Sequence, residues 1–519
     1  MSSNPSSRHP PPENGGAAID SSSTPIVNDT VLHTQYSGPE YHELLKYQHF
    51  LMPSYHSADD APSDRKAKSE ELRIAPLVWW DVKRHLSQCG SSLQQYAVLG
   101  HIPSPNCEVQ EPVFLNTNAP WSAFLCGSQG SGKSHALSCM LENCLLTDRA
   151  LVSQIGENPN PLAGLVFHYD SCQGSGVCEA AYLCSNIPTT ILVSPSNYRR
   201  LKLQYEQMAK ARDGSANIKV KPLCLLSEHL DTERIKTLMA YLIKIFRDMA
   251  METKGLGPFD YRKFKQNLIS KDFLEKQSGP LKMRIELLES FLDPSITLQG
   301  HSNTNRSTGT DYLKGSQGTM TIIDLTDPVV DADSACALFN ICLSVFISQT
   351  ECSKIVALDE AHNYMIETST SAKDFTDKLL KTVREQRHQA TRVVIATQEP
   401  TINTALIDLC NITMVHRCQS PAWFSVLKKH VGSLFLNGKS LSSEETKDDD
   451  EQNGTANADK NLFQEIMNLK LGESLLFCAT AAIAVKEEEV VKMADRVVKF
   501  KTRKRITADG GTTKLASGM

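Results

Sequence analysis

Two short stretches of the sequence concentrate residues able to handle phosphate and a divalent cation. GSQGSGKS, Gly127 to Ser134, is a full match to the phosphate-loop pattern G-x-x-x-x-G-K-[ST]. Gly127, Gly130 and Gly132 let a backbone wrap an anion with its N–H groups inward, at the positive end of a following helix. The candidate nucleotide cradle thus runs through Gly127, Ser128, Gln129, Gly130, Ser131, Gly132, Lys133, Ser134 and His135. Lys133 would reach the β and γ phosphates, and the Ser134 hydroxyl would coordinate Mg²⁺. Such a loop needs a carboxylate at the end of an apolar strand elsewhere in the sheet, and KIVALDE supplies it. Asp359 is the candidate metal residue, and Glu360 the group that orients or deprotonates an attacking water. The Asp-Glu pair favours hydrolysis over phosphate transfer to a small metabolite.

A third element, RVVIATQEP, is an apolar strand ending at Thr397 and Gln398. In a parallel sheet its end opens onto the same crevice, so Gln398 is a candidate partner of the γ-phosphate or the attacking water. The helix Phe375 to His388 carries Phe375, Leu379, Leu380 and Val383 on a core face, with Arg384, Arg387 and His388 on an adjoining one. Arg384 or Arg387 could serve a neighbouring subunit's nucleotide as an arginine finger; Arg417 is a second candidate, and solvated salt-bridge arginines are the plainer alternative.

The elements that must position these residues follow an α/β rhythm with a mostly parallel sheet. Strands are predicted at 122–126, 165–169, 190–193, 319–325, 355–358, 392–397, 412–416 and 474–478, and helices at 134–146, 231–251, 280–292, 334–348, 375–388 and 486–498. Residues 1–40 are rich in Ser, Pro, Gly and Asn and read as a disordered tail. Residues 41–112 form a mixed N-terminal segment, 113–500 the P-loop domain, and 501–519 a basic flexible tail. Within the domain, about 198–318 reads as a helical and polar insertion, a subdomain of its own, and the acidic stretch 439–459 as a flexible surface loop.

The 519 residues, 40% hydrophobic, are enough for at least one large core. A net charge of −5 excludes a globally basic nucleic-acid coat, so phosphate contacts would need local basic segments, of which Arg199 to Lys221 and Lys254 to Arg284 are the candidates. The longest apolar runs are too short to span a bilayer, so no membrane insertion is expected. No secretory leader is visible, which points to an intracellular place, nucleus or cytoplasm; KFKTRKR, Lys499 to Arg505, is a candidate nuclear localisation signal. Fifteen cysteines without a CxxC pair read as buried free thiols.

Taken in order, GSQGSGKS, TMTIIDLTD, KIVALDEAHNYM, VREQRHQATRVVIATQEPT, NITMVHRCQSPAW and IMNLKLGESLLF resemble the HerA/FtsK superfamily of P-loop ATPases. The resemblance spans roughly residues 113–485 and is nearest to the HerA-like branch and the related ATPases of conjugation and type IV secretion. It implies a RecA-like core, ATP with Mg²⁺, a hexameric ring with sites between subunits, and pumping of DNA or protein through a central pore. It also implies that Lys133 and Ser134 bind phosphate and metal, that Asp359 and Glu360 are the metal and catalytic carboxylates, that Gln398 is a polar sensor and that the REQRH segment supplies an inter-subunit arginine. DEAH-box helicases match less well, because neither a Ser-Ala-Thr element after DEAH nor QRxGRxGR occurs. A motor acting on DNA is the leading expectation; a nucleotide-dependent switch or scaffold that binds protein partners is the alternative.

Overall fold

The computed structural model describes residues 72–89, 92–104, 109–171, 176–211, 217–230, 243–252, 259–269, 275–293, 296, 311–366, 369–400, 402–431, 451–486 and 489–510. The expected disordered tail over 1–40, and residues 41–71 after it, lie outside them.

The strands are β1 (Leu77–Trp79), β2 (Tyr96–His101), β3 (Pro112–Asn116), β4 (Ser122–Cys126), β5 (Gly156–Glu157), β6 (Ala163–His168), β7 (Thr189–Val193), β8 (Ile218–Pro222), β9 (Met320–Asp324), β10 (Lys354–Leu358), β11 (Thr391–Thr397), β12 (Ile412–His416), β13 (Glu473–Phe477), β14 (Ala482–Lys486), β15 (Glu489–Lys492) and β16 (Val498–Thr502). All belong to one sheet. Its parallel half has the order β12-β4-β11-β10-β6-β9-β7-β8. This is the mostly parallel α/β arrangement that the strand pattern predicts.

Parallel strands are buried on both faces, which is why KIVAL and VVIAT are apolar without alternation. Ile355 and Ala357 of β10 share a core with the helix α1 (Lys133–Leu145). Val356 and Leu358 point the other way, into a core with α2 (Ala332–Ile347) and α3 (Thr370–Arg384). Complete burial of each such Val, Ile or Leu contributes about 1.5–3 kcal/mol, so the strand ends that carry the polar residues are firmly placed.

The sheet continues past β12 through β13, β16, β2 and β3 in antiparallel pairing, and then to β1, β14 and β15. Several expectations change here. The proposed boundary at 112/113 falls inside β3, and the described residues from 77 onward join the main sheet. The helix expected at 486–498 is absent: β15 and β16 occupy the segment, and Ala494 takes a left-handed φ of 52° that a helix does not allow. The basic tail expected from 501 onward is instead packed against α1 over 503–510: Arg503 and Arg505 have side-chain exposures of 9% and 2%. KFKTRKR therefore runs from strand β16 into a segment whose Arg503 and Arg505 side chains are buried, while Lys501 and Lys504 are exposed; residues 511–519 lie outside the described set.

The region 198–318 is also no separate unit among the described residues. Its β8 extends the sheet, and Tyr261, Phe264, Leu288 and Phe291 share the core that holds Phe167. Of the acidic stretch, residues 451–459 open the helix Glu451–Met467, and 439–450 lie outside the described residues. The described cysteines are free thiols, most of them buried, as expected.

Candidate nucleotide site

The register of the parallel strands brings the candidate residues together. Cys126 pairs with Thr397, and Leu358 with Ile395, so β11 lies between the strand that leads into the phosphate loop and the strand that leads into Asp359. Gly127, Asp359 and Gln398 are the next residues of three adjacent strands at one sheet edge.

Within the loop, Gly127, Gly130 and Gly132 have φ of 150°, 69° and 107°, values in the left-handed region that favours glycine. A Cβ on Gly127 would lie 2.7 Å from the His416 Cβ, and one on Gly132 would lie 3.0 Å from the backbone of Gly472. The loop is pinned from outside as well: Ser128 N–H donates to the Arg417 carbonyl at 2.8 Å, and Gly472 N–H to the Ser131 carbonyl at 3.3 Å. Gly132 is the residue before α1, whose first N–H groups therefore face the loop.

Lys133 is buried and donates to the Ser128 carbonyl at 3.1 Å, closing the loop on itself. Burial lowers its pKa, while Glu360 and Asp359 pull the other way and keep the ammonium compensated. The Ser134 hydroxyl lies 3.5 Å from Asp359 Oδ1. Asp359 is 3% exposed, and burial raises its pKa to about 6, with His168 and Lys133 acting against the rise. A hydroxyl and a carboxylate facing each other beside a glycine-lined cradle are hard oxygen donors, which is the donor set that Mg²⁺ takes.

Glu360 adopts φ 47° and ψ 48°, a left-handed conformation that costs a non-glycine residue about 1 kcal/mol. That turn directs its carboxylate out of the strand line toward β11. There Gln398 Nε2 donates to Glu360 Oε2 at 3.3 Å, and His362 Nδ1 lies 3.5 Å from the same oxygen. Burial lowers the His362 pKa, against the pull of Glu360 and Glu399. Gln398 and Glu360 thus sit within reach of one small volume in front of the loop.

Three expected residues are placed elsewhere. His135 directs both ring nitrogens at the C-terminal segment, with Nε2 2.8 Å from the Arg503 carbonyl and Nδ1 3.4 Å from Asp509. Its side chain is therefore not part of the cradle. Arg384 ends α3 and Arg387 lies in the turn before β11. Because β10, β11 and β4 are parallel, that turn is at the opposite sheet edge, roughly 20 Å away for a strand of this length. Both arginines are exposed there, so neither reaches the phosphate loop of its own chain. Arg417 is exposed beside the loop and meets it through its carbonyl.

His416, His168, Cys178 and Gly472 belong to the site's walls and were not singled out by sequence pattern. His416 is completely buried behind Gly127, with Nδ1 3.1 Å from the Glu473 carbonyl, and burial together with Lys133 drops its pKa to about 3. The one signal available was its place at the end of a strand next to the phosphate-loop strand.

Among solved structures, the chain is similar to VirB4 of Thermoanaerobacter pseudethanolicus, at 11% identity and a TM-score of 0.41, over 79% of this chain and 96% of that one. It is similar to the plasmid coupling protein TrwB in complex with a non-hydrolysable GTP analogue, at 12% identity and a TM-score of 0.37, over 75% and 87% of the two chains. It is also similar to the genome packaging NTPase B204 from Sulfolobus turreted icosahedral virus 2, at 7% identity and a TM-score of 0.30, over 74% and 99%. No protein-family model and no curated protein matches the chain.

Proposed function

We propose that the chain binds ATP at Gly127–Ser134 and hydrolyses it, as a motor of HerA/FtsK type acting on DNA. The observation that carries the hydrolase is the meeting of Lys133, Ser134, Asp359, Glu360 and Gln398 at the ends of three adjacent parallel strands. Lys133 and the loop N–H groups hold the β and γ phosphates. Ser134 and Asp359 hold Mg²⁺, which when bound would neutralise charge developing on the phosphates. Glu360 takes the proton of the attacking water, and Gln398, already bonded to Glu360, orients that water and registers the γ-phosphate.

DNA as the substrate and a ring of identical subunits rest on the order and spelling of the motifs. Arg384 and Arg387 fit such a ring, since their exposed edge can only serve a nucleotide held by another copy. The decisive experiment measures ATP turnover with and without single- and double-stranded DNA, alongside sizing with a non-hydrolysable ATP analogue. Stimulation by DNA together with nucleotide-dependent ring formation supports the motor. A monomer whose turnover ignores DNA supports a nucleotide-dependent switch or scaffold instead, and no turnover at all removes the enzyme.

A further inference from the structure

Asp359 has a second group of neighbours through its other carboxylate oxygen. Its N–H donates to the Phe167 carbonyl at 3.0 Å, so the strand register sets it beside His168, the last residue of β6. His168 Nδ1 lies 4.0 Å from Asp359 Oδ2, and Cys178 Sγ lies 4.0 Å from the same oxygen. The three ligating atoms fall within 4.8 Å of one another, and all three residues are buried. His168, 8% exposed, leaves this Nδ1 without a hydrogen-bond partner. An unpartnered buried ring nitrogen is costly and calls for an explanation.

An imidazole, a thiol and a carboxylate are together the donor set of a borderline transition metal, unlike the hard oxygens that suit Mg²⁺. Tetrahedral zinc, with bonds of about 2.0–2.3 Å, sets its donor atoms roughly 3.3–3.8 Å apart. The three side chains need to close by at most about 1–1.5 Å to reach that spacing. Three protein ligands leave a fourth position for water or another ligand.

We propose that His168, Cys178 and Asp359 form a Zn²⁺ site, and that zinc bound there withdraws Asp359 from the nucleotide's Mg²⁺ and so inhibits turnover. Binding joins the Cys178 sulfur to the metal and releases the thiol proton to solvent; His168 binds through Nδ1 with its ring proton on Nε2, and no electron is transferred. Metal binding itself is independent of the function proposed above, whereas inhibition by competition rests on Asp359 holding Mg²⁺.

The test uses the full chain without nucleotide, titrated with Co²⁺ as a spectroscopic stand-in and then with Zn²⁺. One equivalent of Co²⁺ should raise a thiolate-to-cobalt charge-transfer band that Zn²⁺ erases. Cys178→Ser and Cys178→Ala should both lose the band, and His168→Gln should weaken binding by about 100-fold or more, at least the loss that follows removal of a residue merely supporting a metal ligand. Zn²⁺ should inhibit the wild-type ATPase reversibly, while whatever Mg²⁺-dependent turnover Cys178→Ser retains should be insensitive to zinc. No band in the wild type, or a band that survives in both folded Cys178 variants, overturns the site. Zinc held through Cys178 but not displaced by excess Mg²⁺ and nucleotide keeps the site and overturns inhibition by competition, so the two failures are told apart.

Discussion

At the scale of single residues, the site divides into groups proposed to touch nucleotide and groups that hold the loop in shape. Lys133→Ala removes a buried cation of the glycine-rich loop and should abolish nucleotide binding or turnover, read by fluorescent-nucleotide titration and phosphate release. Glu360→Gln keeps shape while removing the proposed base, so binding should persist and turnover fall by about 10²–10⁴-fold. Equal loss of binding and turnover would place Glu360 in binding alone.

The glycines offer a contrast of the second kind. Gly132→Ala meets both a φ of 107° and the Gly472 backbone at 3.0 Å, so the loop must move and nucleotide affinity should drop. Gly472→Ala has φ 76° and no atom within 4 Å, leaving only the left-handed conformational cost of about 1 kcal/mol. Denaturant unfolding and nucleotide titration of both variants separate loop geometry from simple strain; similar nucleotide affinities in the two would count against the close approach.

His416 gives a pH signature. Its folded pKa lies near 3 against 6.5 in the ordinary state, so below 6.5 the unfolded chain takes up a proton that the folded one refuses. Stability should therefore fall as pH drops through this window, by about 2 kcal/mol between pH 7 and pH 5 for this group alone. Comparing urea unfolding of the wild type with His416→Asn at the two pH values checks it. An unchanged pH dependence in the variant would mean that other groups carry the acid sensitivity.

At the scale of elements, the C-terminal segment and α1 form one unit. Glu142 of α1 is completely buried; it pairs with Arg503 at 2.7 Å and accepts from the N–H groups of Ile506 and Thr507 at 3.2 and 2.9 Å. Removing one partner of a buried pair leaves the other charge uncompensated. Glu142→Leu should destabilise the protein by about 3–5 kcal/mol and loosen the segment after β16, seen as faster amide exchange over 503–510. Intact protection there would show that the clamp stands without its carboxylate.

The same segment shows what sequence pattern could and could not deliver. Strands such as SAFLC, KIVAL and ITMVH are buried on both faces, so a plain apolar run bounded by turn or charged residues marked them. The loop glycines and the Asp-Glu pair were legible because their chemistry depends on neighbours along the chain. Residues 486–498, KEEEVVKMADRVV, carry charges at spacings that suit a helix as well as they suit exposed strands, and tertiary pairing with β14 and β13 decided the outcome. Arg503 and Arg505 read as a solvated tail because their partner, Glu142, is hundreds of residues away. His416, His168 and Cys178 came to the site by strand register and loop return alone, which no local pattern encodes.

At the scale of the whole molecule, the net charge of −5 means that binding to DNA must come from local clusters of Lys and Arg. The helix Tyr198–Lys210 and β8 bring several basic residues to the far edge of the sheet, where Arg199, Lys219 and Lys221 are exposed. If these contact phosphates, duplex affinity should fall with salt, and each lost contact should flatten the logarithmic salt slope by about 0.9. Replacing Arg199, Lys219 and Lys221 together with Ala should therefore weaken DNA binding and reduce that slope, while basal ATP turnover without DNA stays as in the wild type. Fluorescence anisotropy across a salt series measures the slope, and phosphate release measures the turnover. A variant that binds DNA with an unchanged slope would move the DNA contact to another surface, and a wild-type chain with no salt-dependent DNA binding would remove DNA as the substrate.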